Sequence, residues 1–214
     1  SGGKSKIIEG WSDLDFLIVL KYFSLKDNSE IARLVNISPI KIGTTIYSKQ
    51  EFESGLVDSK TVFNLELIRK KIIIPIILQN NLEFPYFTNT DRKKLHIILL
   101  PNIIHELKRK LDYKNEHNLR PIAKSIDTIM KFIISISSKK LISGYKEVQD
   151  EFYKLFPSCP KVYNVFELLE KNDIETYCSQ CWNFLSFITT KDIFNKHQIS
   201  ISVNTSNNPI PYQK

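Results

Sequence analysis

The 214-residue chain is 42% hydrophobic and 25% charged, a balance that supports a folded, soluble protein with a real core and excludes a disordered or fibrous one. Its 30 Lys and Arg against 23 Asp and Glu give a formal net charge of +7, which tilts the surface towards anionic partners such as nucleotide phosphates or RNA. No basic repeat or arginine-rich arm marks a dedicated nucleic-acid binder, and no apolar run approaches the ~20 residues that cross a bilayer.

In chain order, Ser1, Gly2 and Gly3 open a turn, and the apolar run 16–20 reads as a buried strand. Residues 27–35 show a polar cap and apolar spacing of three to four, the pattern of a short helix. The β-branched stretch 40–47 reads as a second strand. Glu51, Phe52 and Glu53 begin another helix, and 72–78 supplies a further strand that Pro75 bends or confines to an edge.

From about residue 91 the period becomes helical. Leu95, Leu99, Ile103, Leu107 and Leu111 recur on one face, with Pro101 expected to kink or split the element. A second helix is expected over 120–141, with Gly144 as its stop, and further helices over 146–155, 163–171 and 174–189. The polar, Pro-containing tail 204–214 is expected to be poorly ordered. Asn, Pro and Thr accumulate over 80–91, where a domain boundary should fall.

The cysteines, Cys159, Cys178 and Cys181, are odd in number and lack a disulfide framework, which points to a reducing compartment, the cytoplasm. Cys178 and Cys181 have CxxC spacing but no second pair to complete a zinc site, so core packing is their expected role. Trp182, Phe184 and Phe187 are expected to be aromatic core as well.

The chemistry-bearing segment is the first. Asp13 and Asp15 are one residue apart at the entry to a strand, so their side chains point to the same side and can converge on one divalent cation. Magnesium suits such a pair, since it takes hard oxygen ligands and keeps positions open for phosphates. The small residues Ser1, Gly2 and Gly3 let backbone approach a polyphosphate, and Lys4 and Lys6 add positive charge.

The whole string from Ser1 through Gly10, Trp11, Ser12, Asp13, Leu14 and Asp15 to Phe16 resembles the signature of the DNA polymerase beta-like nucleotidyltransferase superfamily. The similarity is to the small bacterial branch that holds the aminoglycoside, lincosamide and minimal nucleotidyltransferases. This resemblance implies an α+β fold: a nucleotidyltransferase-type mixed sheet with helices over 1–85, then an all-helical C-terminal domain over 91–197. Ser1 matches the serine of the family's Gly-Ser pair, so the resemblance also implies that the N-terminal part of the first domain is missing. It assigns Asp13 and Asp15 to catalysis and to Mg2+ (or Mn2+), and Ser1, Gly2 and Ser12 to the nucleotide, an NTP with ATP foremost. The implied reaction moves a nucleoside monophosphate to a hydroxyl of a small molecule, protein or RNA, releasing pyrophosphate, with no membrane involved.

One family position is not matched. A third carboxylate usually comes from the next strand, yet 40–47 contains no acid, and Gly43, Thr44 and Thr45 stand there instead. Glu51, Glu53 or Asp58 could replace it, a homodimer could supply it, or a single-metal reaction could dispense with it. The alternative is a catalytically impaired nucleotidyltransferase-like protein that binds a nucleotide or partner, as a regulatory or toxin-antitoxin component would. Minimal nucleotidyltransferases often work beside a helical HEPN-type partner, whose ribonuclease versions carry an arginine and a histidine on one helix. Arg92 with His96 and Arg109 with His117 only superficially resemble that pair and are expected on solvated faces, and His105 with Glu106 makes no metal motif.

Overall fold

The computed structural model describes residues 14–22, 24–39, 41–72, 82–112, 119–171 and 173–190. Leu14–Leu20 form β1 and Ile42–Ser48 form β2. The two pair in parallel, from Leu14 opposite Ile42 to Leu20 opposite Ser48. Parallel neighbours need a crossover, and helix α1, Leu25–Asn36, provides it. Its cap explains a start two residues before the expected one: Ser24 Oγ accepts the Asp27 N–H at 3.1 Å and donates to the Asp27 carboxylate at 2.6 Å.

The strand expected to be buried is not. Leu14, Phe16 and Leu17 are exposed and Ile18 to Leu20 only half-buried, because among the described residues the sheet has two strands. α1 buries none of its side chains. The expected strand over 72–78 lies, from residue 73, outside the described residues, as does the tail 204–214.

β2 runs directly into helix α2, Lys49–Glu53, through a capping box in which Ser48 and Glu51 satisfy each other's backbone N–H groups. Phe52 is fully buried, near the rings of Tyr47 and Phe84. Gly55 takes the left-handed φ of 81° that turns the chain. Helix α3, Ser59–Arg69, follows with Asp58 as its N-cap.

Five helices follow among the described residues: α4, Asn89–Asp112; α5, Leu119–Ser138; α6, Tyr145–Leu155; α7, Val165–Lys171; and α8, Ile174–Thr190. α5 is the centre of this half and packs on α4 and α6, with Ile129, Met130 and Ile133 sealed from water. Leu100 and Leu107 of α4, Phe152 of α6 and Phe184 of α8 join them in one continuous cluster. Cys159, Cys178 and Cys181 are buried and not disulfide-bonded, as expected for packing residues. No helix among the described residues is long and apolar enough to cross a membrane.

Several expectations for this half are corrected. α4 is not split at Pro101; Leu100, Ile104 and Leu107, packed in the core on both sides of the ring, hold the helix there. α5 stops at Ser138, not at Gly144, and the left-handed position after it falls on Lys139, φ 58°. Gly144 instead precedes α6 with φ 102°, where a Cβ would strike the Glu147 carboxylate. Leu141 leaves the α5 face for a small cluster with Phe63 and Leu67. Trp182 is 37% exposed, while Phe184 is buried and Phe187 packs at the margin of the core.

The largest correction concerns Arg92 and His96, which are buried rather than solvated. Four residues apart on α4, they share one helix face, and that face meets α3 and α5. Arg92 donates to Glu66 of α3 at 3.3 Å and to Asn89 at 2.7 Å. Arg69 also pairs with Glu66 and donates to the Pro85 carbonyl at 2.8 Å. His96 stacks on Phe132 of α5 with ring centroids 4.1 Å apart and approaches Phe63 at 5.9 Å. Neither of its ring nitrogens has a hydrogen-bond partner among the described residues.

Burial, reinforced by the Arg92 charge, lowers the His96 pKa from 6.5 to about 4. The unfolded chain therefore binds this proton at a higher pH than the folded one. Stability should be complete above about pH 6.5 and fall as the pH drops towards 4, by up to about 3 kcal/mol. Urea melts across that window should show the loss, and His96→Phe should flatten it. An equal slope in the variant would show that another group is responsible.

Candidate metal and nucleotide site

Of the residues expected to form the site, Asp15 is described; Ser1, Gly2, Ser12 and Asp13 lie outside the described residues. Asp15 is the second residue of β1, directly opposite Gly43 of β2. Side chains of directly paired parallel residues project to the same face, so Asp15 shares its face with Gly43, Thr45 and Tyr47. A Cβ on Gly43 would stand 2.6 Å from Asp15 Oδ1, inside the contact distance of carbon and oxygen. Glycine at this position leaves the carboxylate its space.

The N-terminal end of α3 borders the same face. The Tyr47 hydroxyl donates to Asp58 Oδ2 at 2.5 Å and accepts the Asp58 N–H at 2.9 Å, so β2 holds the N-cap of α3 from both sides. Burial raises the Tyr47 pKa, and the neighbouring Asp58 carboxylate raises it further. Burial alone would raise the Asp58 pKa too, but hydrogen bonds from Tyr47 and Thr61 bring it below its ordinary value. Thus anchored, α3 sends Lys60 back to Asp15: Nζ lies 3.1 Å from Oδ2. Sequence reasoning missed Lys60. Its one signal is a lysine in the first turn of a helix, where the macrodipole favours acids.

The three acids considered as replacements for the third carboxylate are all engaged locally. Glu51 accepts the Ser48 N–H at 2.7 Å and the Ser48 hydroxyl at 2.8 Å, which lowers its pKa. Glu53 lies 3.5 Å from Lys49 and accepts the Glu83 N–H at 3.0 Å. Asp58 accepts from Tyr47 and from both the backbone and the hydroxyl of Thr61. Among the described residues no three His, Cys, Asp or Glu side chains gather as a metal set.

The helical half offers less. A cavity no larger than about one water lies beside Asp127, Gln149, Tyr163 and Tyr177. Burial raises the Asp127 pKa against the opposing pull of Lys131, 2.5 Å away. A shallow groove lies beside Pro101, His105, Lys108 and Thr189. No family model matches the chain, and no curated protein and no solved structure matches it either.

The Gly43 contact gives a direct test of this geometry. Its φ is not in the left-handed region, so Gly43→Ala should change stability by less than about 1 kcal/mol while displacing the Asp15 carboxylate. Thermal melting should show little change and the Asp15 carboxyl carbon should shift in the NMR spectrum. An unshifted carboxyl signal would contradict the close approach.

Proposed function

We propose that the chain is a nucleotidyltransferase of the DNA polymerase beta-like type, which moves a nucleoside monophosphate from an NTP, ATP foremost, to an acceptor hydroxyl with release of pyrophosphate. The observation that carries this reading is the Asp15 carboxylate, exposed on a strand of a β-α-β unit and given room by a glycine on the paired strand. A hard carboxylate oxygen is the donor that Mg2+ or Mn2+ takes, and the glycine on the paired strand leaves space beside it. Asp15 and Asp13 would hold the ion, which when bound would neutralise charge on the triphosphate. Ser1, Gly2 and Ser12 would donate to the phosphate oxygens. The acceptor is a small molecule, a protein or RNA, and the compartment is the cytoplasm, which suits the absence of disulfides among the three buried cysteines.

A second reading, binding without turnover, is favoured by one specific observation. β2 contributes no acid, and Glu51, Glu53 and Asp58 are each spent on helix caps or backbone amides. A site built so could grip a metal-bound nucleotide yet fail to activate the attacking hydroxyl.

The two readings separate when the protein is incubated with Mg2+, labelled NTPs and candidate acceptors. Transferase action predicts pyrophosphate release that falls in both Asp13→Ala and Asp15→Ala by about 100-fold or more, the upper end of what even outer-shell partners of a metal cost. Nucleotide binding with no release in the wild type would establish the second reading. Absence of both binding and release would overturn the two together.

A further inference from the structure

Lys60 is placed where neither helix stability nor ion-pair energy explains it. It follows Asp58 and Ser59 at the start of α3, in a first turn that holds no acid, and a cation there opposes the helix macrodipole. Its side chain is 62% exposed and that of Asp15 38%, and pairs this open to water contribute little to stability. What the position does achieve is chemical. A single ammonium is delivered, by a helix end tied to β2 through Tyr47 and Asp58, to the carboxylate oxygen on which the proposed site depends.

We propose that Lys60 is a phosphate-binding residue of the nucleotide site that also serves as the counter-cation of Asp15. Before a nucleotide arrives, Lys60 neutralises Asp15 and competes with any divalent cation for Oδ2. As the metal-bound nucleotide binds, Lys60 gives up Asp15, and its ammonium turns on a flexible four-carbon stem to the triphosphate oxygens. Lysine suits this exchange because it acts as a compact point charge with three rotatable donors. Asp15 Oδ1 lies where a Gly43 side chain would stand and Oδ2 carries the Lys60 pair, so Oδ2 is the oxygen whose partner changes. The inference rests on the nucleotidyltransferase reading and deepens it by naming a residue for the phosphates.

The test measures two affinities whose changes have opposite signs. Mn2+ binding alone, followed by the electron paramagnetic resonance signal of the free ion, should tighten in Lys60→Met by up to about fivefold, the ceiling for losing an exposed ion pair. Affinity for a non-hydrolysable ATP analogue at saturating Mn2+ should weaken in the same variant by about tenfold, the loss of one charge-assisted contact. Lys60→Arg should retain the analogue within a few-fold, and the thermal midpoint of both variants should match the wild type. A merely structural lysine would leave both affinities unchanged; that result, or analogue affinity unchanged in Lys60→Met, overturns the proposal. Failure of the underlying reading is seen separately, in a wild type that binds neither Mn2+ nor the analogue.

Discussion

A buried carboxylate, Glu66, is the charged centre of the contact between α3 and the helical core, beside the apolar contacts of Phe63 and Leu67. It sits on α3 between Arg69 of the same helix and Arg92 of α4. Leaving one charge of the buried Glu66–Arg92 pair without its partner costs about 3–5 kcal/mol. α3 is consequently a strut with two fixed ends. Its last turns are locked to α4 through Glu66, and its first turn is locked to β2 through the Asp58 and Tyr47 bonds. The position of Lys60 against Asp15 is set by that strut, so the proposed site takes its geometry in part from a charge buried far along the same helix.

The electrostatics of the junction explain the state of its neighbours. Glu66 and Arg92 form the buried pair, and Arg69 joins Glu66 from the solvent side. Burial disfavours a further cation there, and the Arg92 charge adds to that. His96, one turn along from Arg92 and stacked on Phe132, is held neutral and contributes as an aromatic ring. The arginine and histidine that share a face of α4 thus build an interface between α3, α4 and α5.

The two strands and most helices could be read from the chain because their signals are local. Apolar periodicity located α5, α6 and α8 to within a few residues, and the β-branched run located β2. What could not be read depends on partners distant in sequence. Arg92 and His96 lie in a charged stretch and look solvated until Glu66 and Phe132 are seen to cover them. Gly144 looked like the end of one helix but serves the beginning of the next, since a glycine at positive φ can do either. β1 looked buried because its residues are apolar, yet burial requires layers on both faces that the described residues do not supply. At the proposed site, Asp15 was singled out by its spacing from Asp13 together with the family resemblance, whereas Gly43 and Lys60 acquire meaning only through strand register and the anchoring of α3.

The proposed role of Asp15 is that of a metal ligand in a nucleotide site. The most direct measurement is an anomalous difference map from crystals grown with Mn2+ and a non-hydrolysable ATP analogue. A peak is expected about 2 Å from an Asp15 carboxylate oxygen, the distance of a small divalent ion from its oxygen ligands, with phosphate density on its far side. Peaks only elsewhere in the molecule, with Lys60 still paired to Asp15, would contradict it.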